Sequence, residues 1–228
     1  MIKVVCFDLF STLVDVGSVP LSVGRMTADI FSLENSQWND LCFSSHHEIC
    51  QPTKADDVIR TLIHSHNPSV SEELIQQATY ERQNRFNYAL TEHIQEDVLD
   101  GIRKLKEQGY ILILVSNAST AEVQSWPDSP LAEHFEHSIF SCAVGLKKPD
   151  RAIYKHAYKL VSAEPSCCLF VGDGGSDELI GAKESGMQTL LMTRFLKRNI
   201  DVRRDSFAHV IDGEVASTLG VLDWITTQ

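Results

Sequence analysis

Residues 2–7 form a short apolar run rich in β-branched side chains. That is the pattern of a strand buried on both faces of a parallel sheet, and it stops at Asp8. From about Gly17 to Leu90 the period changes. Met26, Ile30 and Phe31 repeat on one helical face, as do Val58, Ile59, Leu62 and Ile63. Breaks fall near Pro20, Asn35-Ser36, Gln51-Pro52 and Asn67-Pro68, where Pro or a capping residue interrupts the periodicity. Val98, Ile102 and Leu105 then mark an amphipathic helix closed by Gly109. Beyond it the pattern predicts strands near 110–115, 138–144, 168–171, 189–192 and 209–211. These are separated by helices near 120–125, 150–160, 177–184 and 214–222. Strands alternating with helices predict an α/β fold, a doubly wound parallel sheet covered on both faces. The expected division is a core made of 1–16 and 92–228, with a helical unit, 17–91, inserted between.

Composition narrows the class without naming a function. A chain of 228 residues with 43% hydrophobic and 22% charged residues is ordinary globular material, not low-complexity or disordered. The apolar stretch at 111–115 falls far short of the roughly 20 residues a bilayer span needs. The opening Met1-Ile2-Lys3 has none of the zones of a secretory signal, so a cytoplasmic location is expected. Six cysteines in this length do not read as a disulfide scaffold; Cys6 and Cys168 fall in strands as small apolar fillers. The net charge of −11 opposes nucleic-acid and anionic-membrane partners. Arg194, Lys197, Arg198, Arg203 and Arg204 form one local basic stretch, read as solvated loop charge.

In open parallel sheets ligands bind beyond the carboxyl ends of the strands. Four strand ends carry chemistry here: Asp8-Leu9-Phe10-Ser11-Thr12-Leu13, Ser116-Asn117, Gly145-Leu146-Lys147-Lys148-Pro149-Asp150 and Gly172-Asp173-Gly174-Gly175-Ser176-Asp177. Convergence of Asp8 with Asp173 is electrostatically unfavourable unless a cation is shared, which implies a hard divalent metal such as Mg²⁺. The motifs, in this order and spacing, resemble the haloacid dehalogenase-like hydrolase superfamily over nearly the whole chain. The resemblance implies a Rossmann-like core with an α-helical cap inserted after the first motif, and a small-molecule, phosphorylated substrate. It makes Asp8 a nucleophile that forms an aspartyl intermediate, with Mg²⁺ held by Asp8, the Phe10 backbone carbonyl and Asp173. Ser116, with Asn117 beside it, would hydrogen-bond the transferring group. Lys148 would balance the negative charge, with Lys147 as second choice, and Thr12 would support the Asp8 loop. Asp177 would sit beside the metal or orient Lys148.

One position departs from the family pattern. Phosphatases of this superfamily carry a second aspartate two residues after the nucleophile, as general acid, and this chain has Phe10. Three explanations follow. A cap group or water replaces the acid, with His46, His47, His64, His66 and His93 as the histidines in or beside the insert. Alternatively the chain is a 2-haloacid dehalogenase, whose leaving halide needs no proton; those enzymes resemble this chain in an aromatic residue at that position but use an early cap arginine, and only Arg25 is early here. The third is a weakly active protein that binds a phosphorylated ligand. Separately, Cys42, His46, His47 and Cys50 have the ligand types of a zinc site, but a continuous helix through Trp38, Leu41, Phe43 and Ile49 explains the segment without metal.

Overall fold

The computed structural model describes residues 1–196 and 200–228; Lys197 and Arg198 of the basic stretch lie outside the described residues. Six strands form one all-parallel sheet: β1 (Val4–Phe7), β2 (Ile111–Ser116), β3 (His137–Phe140), β4 (Cys168–Gly172), β5 (Gln188–Met192) and β6 (Gly213–Val215). Their spatial order is β3-β2-β1-β4-β5-β6, so the chain reverses direction across the sheet between β1 and β4. Such a reversal opens a crevice at the strand ends. β1 shows how the sequence builds it. Val5 and Phe7 face one apolar cluster and Val4 and Cys6 the other, so alternate side chains of a fully buried strand serve two cores.

Eleven α-helices are described: α1 (Thr27–Ile30), α2 (Asn35–Cys42), α3 (Ala55–His66), α4 (Glu72–Thr91), α5 (Glu96–Glu107), α6 (Thr120–Val123), α7 (Ser141–Val144), α8 (Arg151–Leu160), α9 (Glu178–Glu184), α10 (Ile200–Phe207) and α11 (Thr218–Thr226). Val98, Leu99, Ile102 and Leu105 of α5 and Val221 of α11 bury on one face of the sheet. Ile153, Tyr154 and Ala157 of α8 and Leu179 and Ala182 of α9 bury on the other. Helices α1 to α4 form the inserted cap, with an apolar cluster of their own built from Ala28, Ile30, Trp38, Val58, Ile59, Leu62, Ile63, Ile75 and Ala78.

Several local expectations shift. The segment read as a strand to 144 turns into α7 at Ser141, and the last strand lies at Gly213–Val215 rather than 209–211. Residues 200–207 are helix, where solvated loop was expected, because only Phe207 of that segment buries and the charged remainder carries no apolar stripe. Asn35-Ser36 opens α2 instead of breaking a helix; Glu34 and Gln37 close a capping box there. Helix α2 ends at Cys42, so the continuous helix expected through Ile49 does not form. No helix among the described residues is long and apolar enough to cross a membrane.

Candidate active site

Register places the reactive groups. Phe7 pairs with Leu114 and Val171, so Asp8, one residue further, emerges in the crevice between β1 and β4, and its N–H donates to the Val171 carbonyl (3.0 Å). Asp173 leaves the tip of β4 next door. Thr12, fully buried, joins the two: its hydroxyl donates to Asp8 Oδ2 (2.8 Å) and accepts the Asp173 N–H (3.1 Å). Ser11 holds a left-handed φ of 64° in the turn from Asp8 to Thr12.

Lys148 completes the centre. Its Nζ lies 2.5 Å from Asp8 Oδ1 and 2.5 Å from Glu178 Oε2, with the lysine side chain 2% exposed. Asn117 fixes the lysine's backbone by a reciprocal pair, donating from Nδ2 to the Lys148 carbonyl (2.9 Å) and accepting the Lys148 N–H at Oδ1 (2.8 Å). Ser116, at the end of β2, is buried and its Oγ has no hydrogen-bond partner among the described residues. An orphaned hydroxyl costs free energy unless something else satisfies it, which marks a place where a ligand's oxygen can bond.

The second acidic residue at the β4 tip is Glu178, not Asp177. Asp177 has a left-handed φ of 52° and faces solvent, whereas Glu178 is buried and accepts the Gly174 N–H (3.1 Å) as well as Lys148. Gly172 makes room, since a Cβ there would stand 2.0 Å from Glu178 Oε1. Orienting Lys148, foreseen for Asp177, is therefore done by its neighbour. A sequence signal existed: Glu178 shares the inward face of α9 with Leu179 and Ala182.

Oxygens of Asp8, Asp173 and Glu178 all lie within 4.8 Å of one another. Burial, and then the Asp8 charge, push the pKa values of both Asp173 and Glu178 upward. Burial is also the largest influence on Lys148 and pulls it down, but the Asp8 and Glu178 carboxylates outweigh it and hold the ammonium above the usual lysine range. One lysine does not balance three carboxylates. Arg203 adds little, its Nη2 standing 4.0 Å from Asp173 Oδ2. The surplus of hard oxygen donors suits Mg²⁺, and the three clustered carboxylates mark where such an ion would sit.

Around this centre the remaining expected residues find other places. The Phe10 ring is half-buried and meets Phe86 of the cap edge-on, with centroids 5.1 Å apart. Arg25 is bound bidentately by Glu81 at the surface. His93 bonds Ser18, His64 faces the Val70 carbonyl, and His46 and His66 are exposed. His47 Nδ1 meets the Cys42 carbonyl at 2.8 Å. Cys42, His46, His47 and Cys50 do not assemble into a metal-ligand group among the described residues.

Comparison with known proteins agrees with this geometry. Residues 2–186 match the family model described as haloacid dehalogenase-like hydrolase. A glyceraldehyde 3-phosphate phosphatase from Pyrococcus furiosus is 27% identical over 97% of this chain and 93% of its own length. The same-named protein of Pyrococcus abyssi is 30% identical over 83% of this chain and 81% of its own. Among solved structures, the L-2-haloacid dehalogenase of Xanthobacter autotrophicus with chloropropionic acid covalently bound superposes with a TM-score of 0.69 at 17% identity, covering 99% of both chains.

Proposed function

This chain belongs to the haloacid dehalogenase-like hydrolases, and we propose that within that family it hydrolyses a small phosphomonoester, with Mg²⁺, through covalent attack by Asp8. The observation that carries the reading is the buried centre itself. A carboxylate with both oxygens held, by Thr12 and Lys148, stands beside two further carboxylates, and the tip of the adjacent strand carries an unpartnered hydroxyl. The two Pyrococcus relatives, matched over most of their length, are phosphatases of a small phosphorylated aldehyde by name, which supports the same substrate class.

In the first step an Asp8 oxygen bonds to phosphorus as the ester P–O bond breaks; the leaving oxygen departs with the bonding pair and takes a proton from water. In the second, water attacks the aspartyl phosphate at phosphorus, releasing inorganic phosphate and regenerating the carboxylate. Lys148 keeps Asp8 oriented and offsets charge as the two anions approach. Ser116 Oγ donates to a phosphoryl oxygen, and Asn117 and Thr12 hold the loops that carry Lys148 and Asp8. Asp8, Asp173 and the Phe10 carbonyl are the ligands we assign to Mg²⁺, with Glu178 adjacent and Asp177 outside the cluster. When bound, the ion supplies positive charge to the phosphoryl oxygens. Catalysis of this kind rests on positioning and charge neutralisation. The cap, which we assign to residues 17–91, covers the centre and excludes bulk water.

Phe10, packed on Phe86, favours a second reading, dehalogenation, because it stands two residues after Asp8, where phosphatases of the family carry their general acid, and a leaving halide needs no proton. A panel of phosphate esters and 2-chloropropionate, each with Mg²⁺ and with EDTA, separates the two. Metal-dependent phosphate release supports the phosphatase; metal-independent chloride release overturns it.

A further inference from the structure

Among the buried charged groups that the hydrolytic centre leaves unused is Glu122. Arg82, on α4 of the cap, reaches Glu122, on α6 of the core, with Nη2 2.5 Å from Oε1 and side chains 18% and 8% exposed. The contact is built from both sides. The Arg82 guanidinium stacks 4.5 Å from the centroid of Phe86 and 5.8 Å from that of Trp38. The other carboxylate oxygen of Glu122 accepts the Ser119 N–H (2.8 Å) and stands 3.9 Å from His47 Nε2. Burial pushes the Glu122 carboxyl up more than any other single influence, yet Arg82, His47 and the Ser119 N–H together hold it below the usual carboxylate range.

What distinguishes this pair from a surface ion pair is what lies at its two ends. At one, Phe86 meets Phe10, two residues beyond Asp8. At the other, Ser119 belongs to the loop that begins with Ser116-Asn117 at the tip of β2. A weaker side-chain bond from Gln124 to Asn87 (3.2 Å) joins the same two helices at the surface. We propose that Arg82 and Glu122 are positioning residues of the hydrolytic reaction. As one ion pair they seat the cap on the core, pressing Phe86 on Phe10 and holding the Ser116 loop in register. The proposal rests on the hydrolase reading above but not on which ester is cleaved.

The test is a double-mutant cycle with Arg82→Met, Glu122→Gln and the double variant, assayed on p-nitrophenyl phosphate with Mg²⁺ at a temperature where each remains folded by circular dichroism. Displacement of reacting groups by about an ångström costs on the order of 10²-fold, so each single variant should lower kcat about 10- to 100-fold with KM near wild type. The double variant should be no slower than the worse single one, because the second change removes a group already without its partner. Glu122→Asp and Arg82→Lys, which keep the charge, should recover part of the loss and serve where the neutral variants do not fold. Unchanged kcat in folded variants, or losses that multiply in the double variant, overturns the proposal. Wild-type protein that releases no phosphate from any ester contradicts instead the hydrolytic reading beneath it.

Discussion

Replacing Lys148 with methionine keeps the volume of a buried side chain and removes its charge. In the native protein Nζ stands 2.5 Å from both Asp8 and Glu178, and the three side chains are between 1% and 9% exposed. The change leaves three carboxylates within 4.8 Å of one another with their buried counter-charge gone. Breaking a buried ion pair in this way costs about 3–5 kcal/mol. At about 2–4 °C per kcal/mol for a protein of this size, the melting temperature should fall by roughly 6–20 °C in EDTA at neutral pH. The deficit should depend on pH with a definite sign. Glu178 already has a raised pKa from burial and from Asp8, and Lys148 is what opposes the rise. Without the lysine the folded state favours the protonated carboxyl still more strongly. A group with a raised folded pKa contributes stability that is present below its unfolded pKa, about 4.3 for Glu, and lost as pH rises through the folded value. The variant should therefore lie closest to wild type in acid and fall furthest behind at neutral pH. Scanning calorimetry of both proteins in EDTA from acid to neutral pH measures this. A variant that melts with wild type throughout would refute the reasoning, since the lysine would then not be compensating the cluster.

Ser116→Ala should leave the melting temperature unchanged or slightly raised, because no partner among the described residues loses a bond, while kcat falls; equal loss of stability and rate in unfolding and steady-state assays contradicts a ligand-facing hydroxyl. Phe10→Asp should speed alkyl phosphates more than p-nitrophenyl phosphate, since a general acid contributes about 10²–10⁴ and serves poor leaving groups most. Its cost is the Phe10–Phe86 pair, about 0.5–1.5 kcal/mol, and an unchanged ratio of alkyl to aryl rates contradicts it. Because Asp173 and Glu178 are both pushed upward, Mg²⁺ binding should expel protons, and its affinity by calorimetry should rise with pH through the acid range; a pH-independent affinity contradicts a carboxylate site.

Much of this was legible in the chain. β1 announced itself by a run of buried β-branched residues ending at Asp8, and the tips of β2 and β4 by the same logic. What resisted reading depends on burial that pattern alone does not report. Asp177 has the look of a helix N-cap and drew the acidic role, whereas the left-handed turn at Ser176 and Asp177 rotates it outward and brings Glu178 in. A buried carboxylate is uncommon enough that only counting back along α9 from Leu179 and Ala182 would have found it. Helix α10 escaped because its charges pair with Glu214, Asp201 and the Gly174 carbonyl rather than forming an apolar face. The Arg82–Glu122 contact joins residues 40 positions apart, and no local period encodes it.

The most direct test is mass spectrometry of protein mixed with Mg²⁺ and p-nitrophenyl phosphate and quenched in acid on the timescale of one turnover. A peptide containing Asp8 should carry one phosphoryl group that disappears once the substrate is exhausted, and Asp8→Asn should carry none and release no phosphate. Phosphate release without that adduct, or continued turnover by the Asn variant, would contradict attack by Asp8.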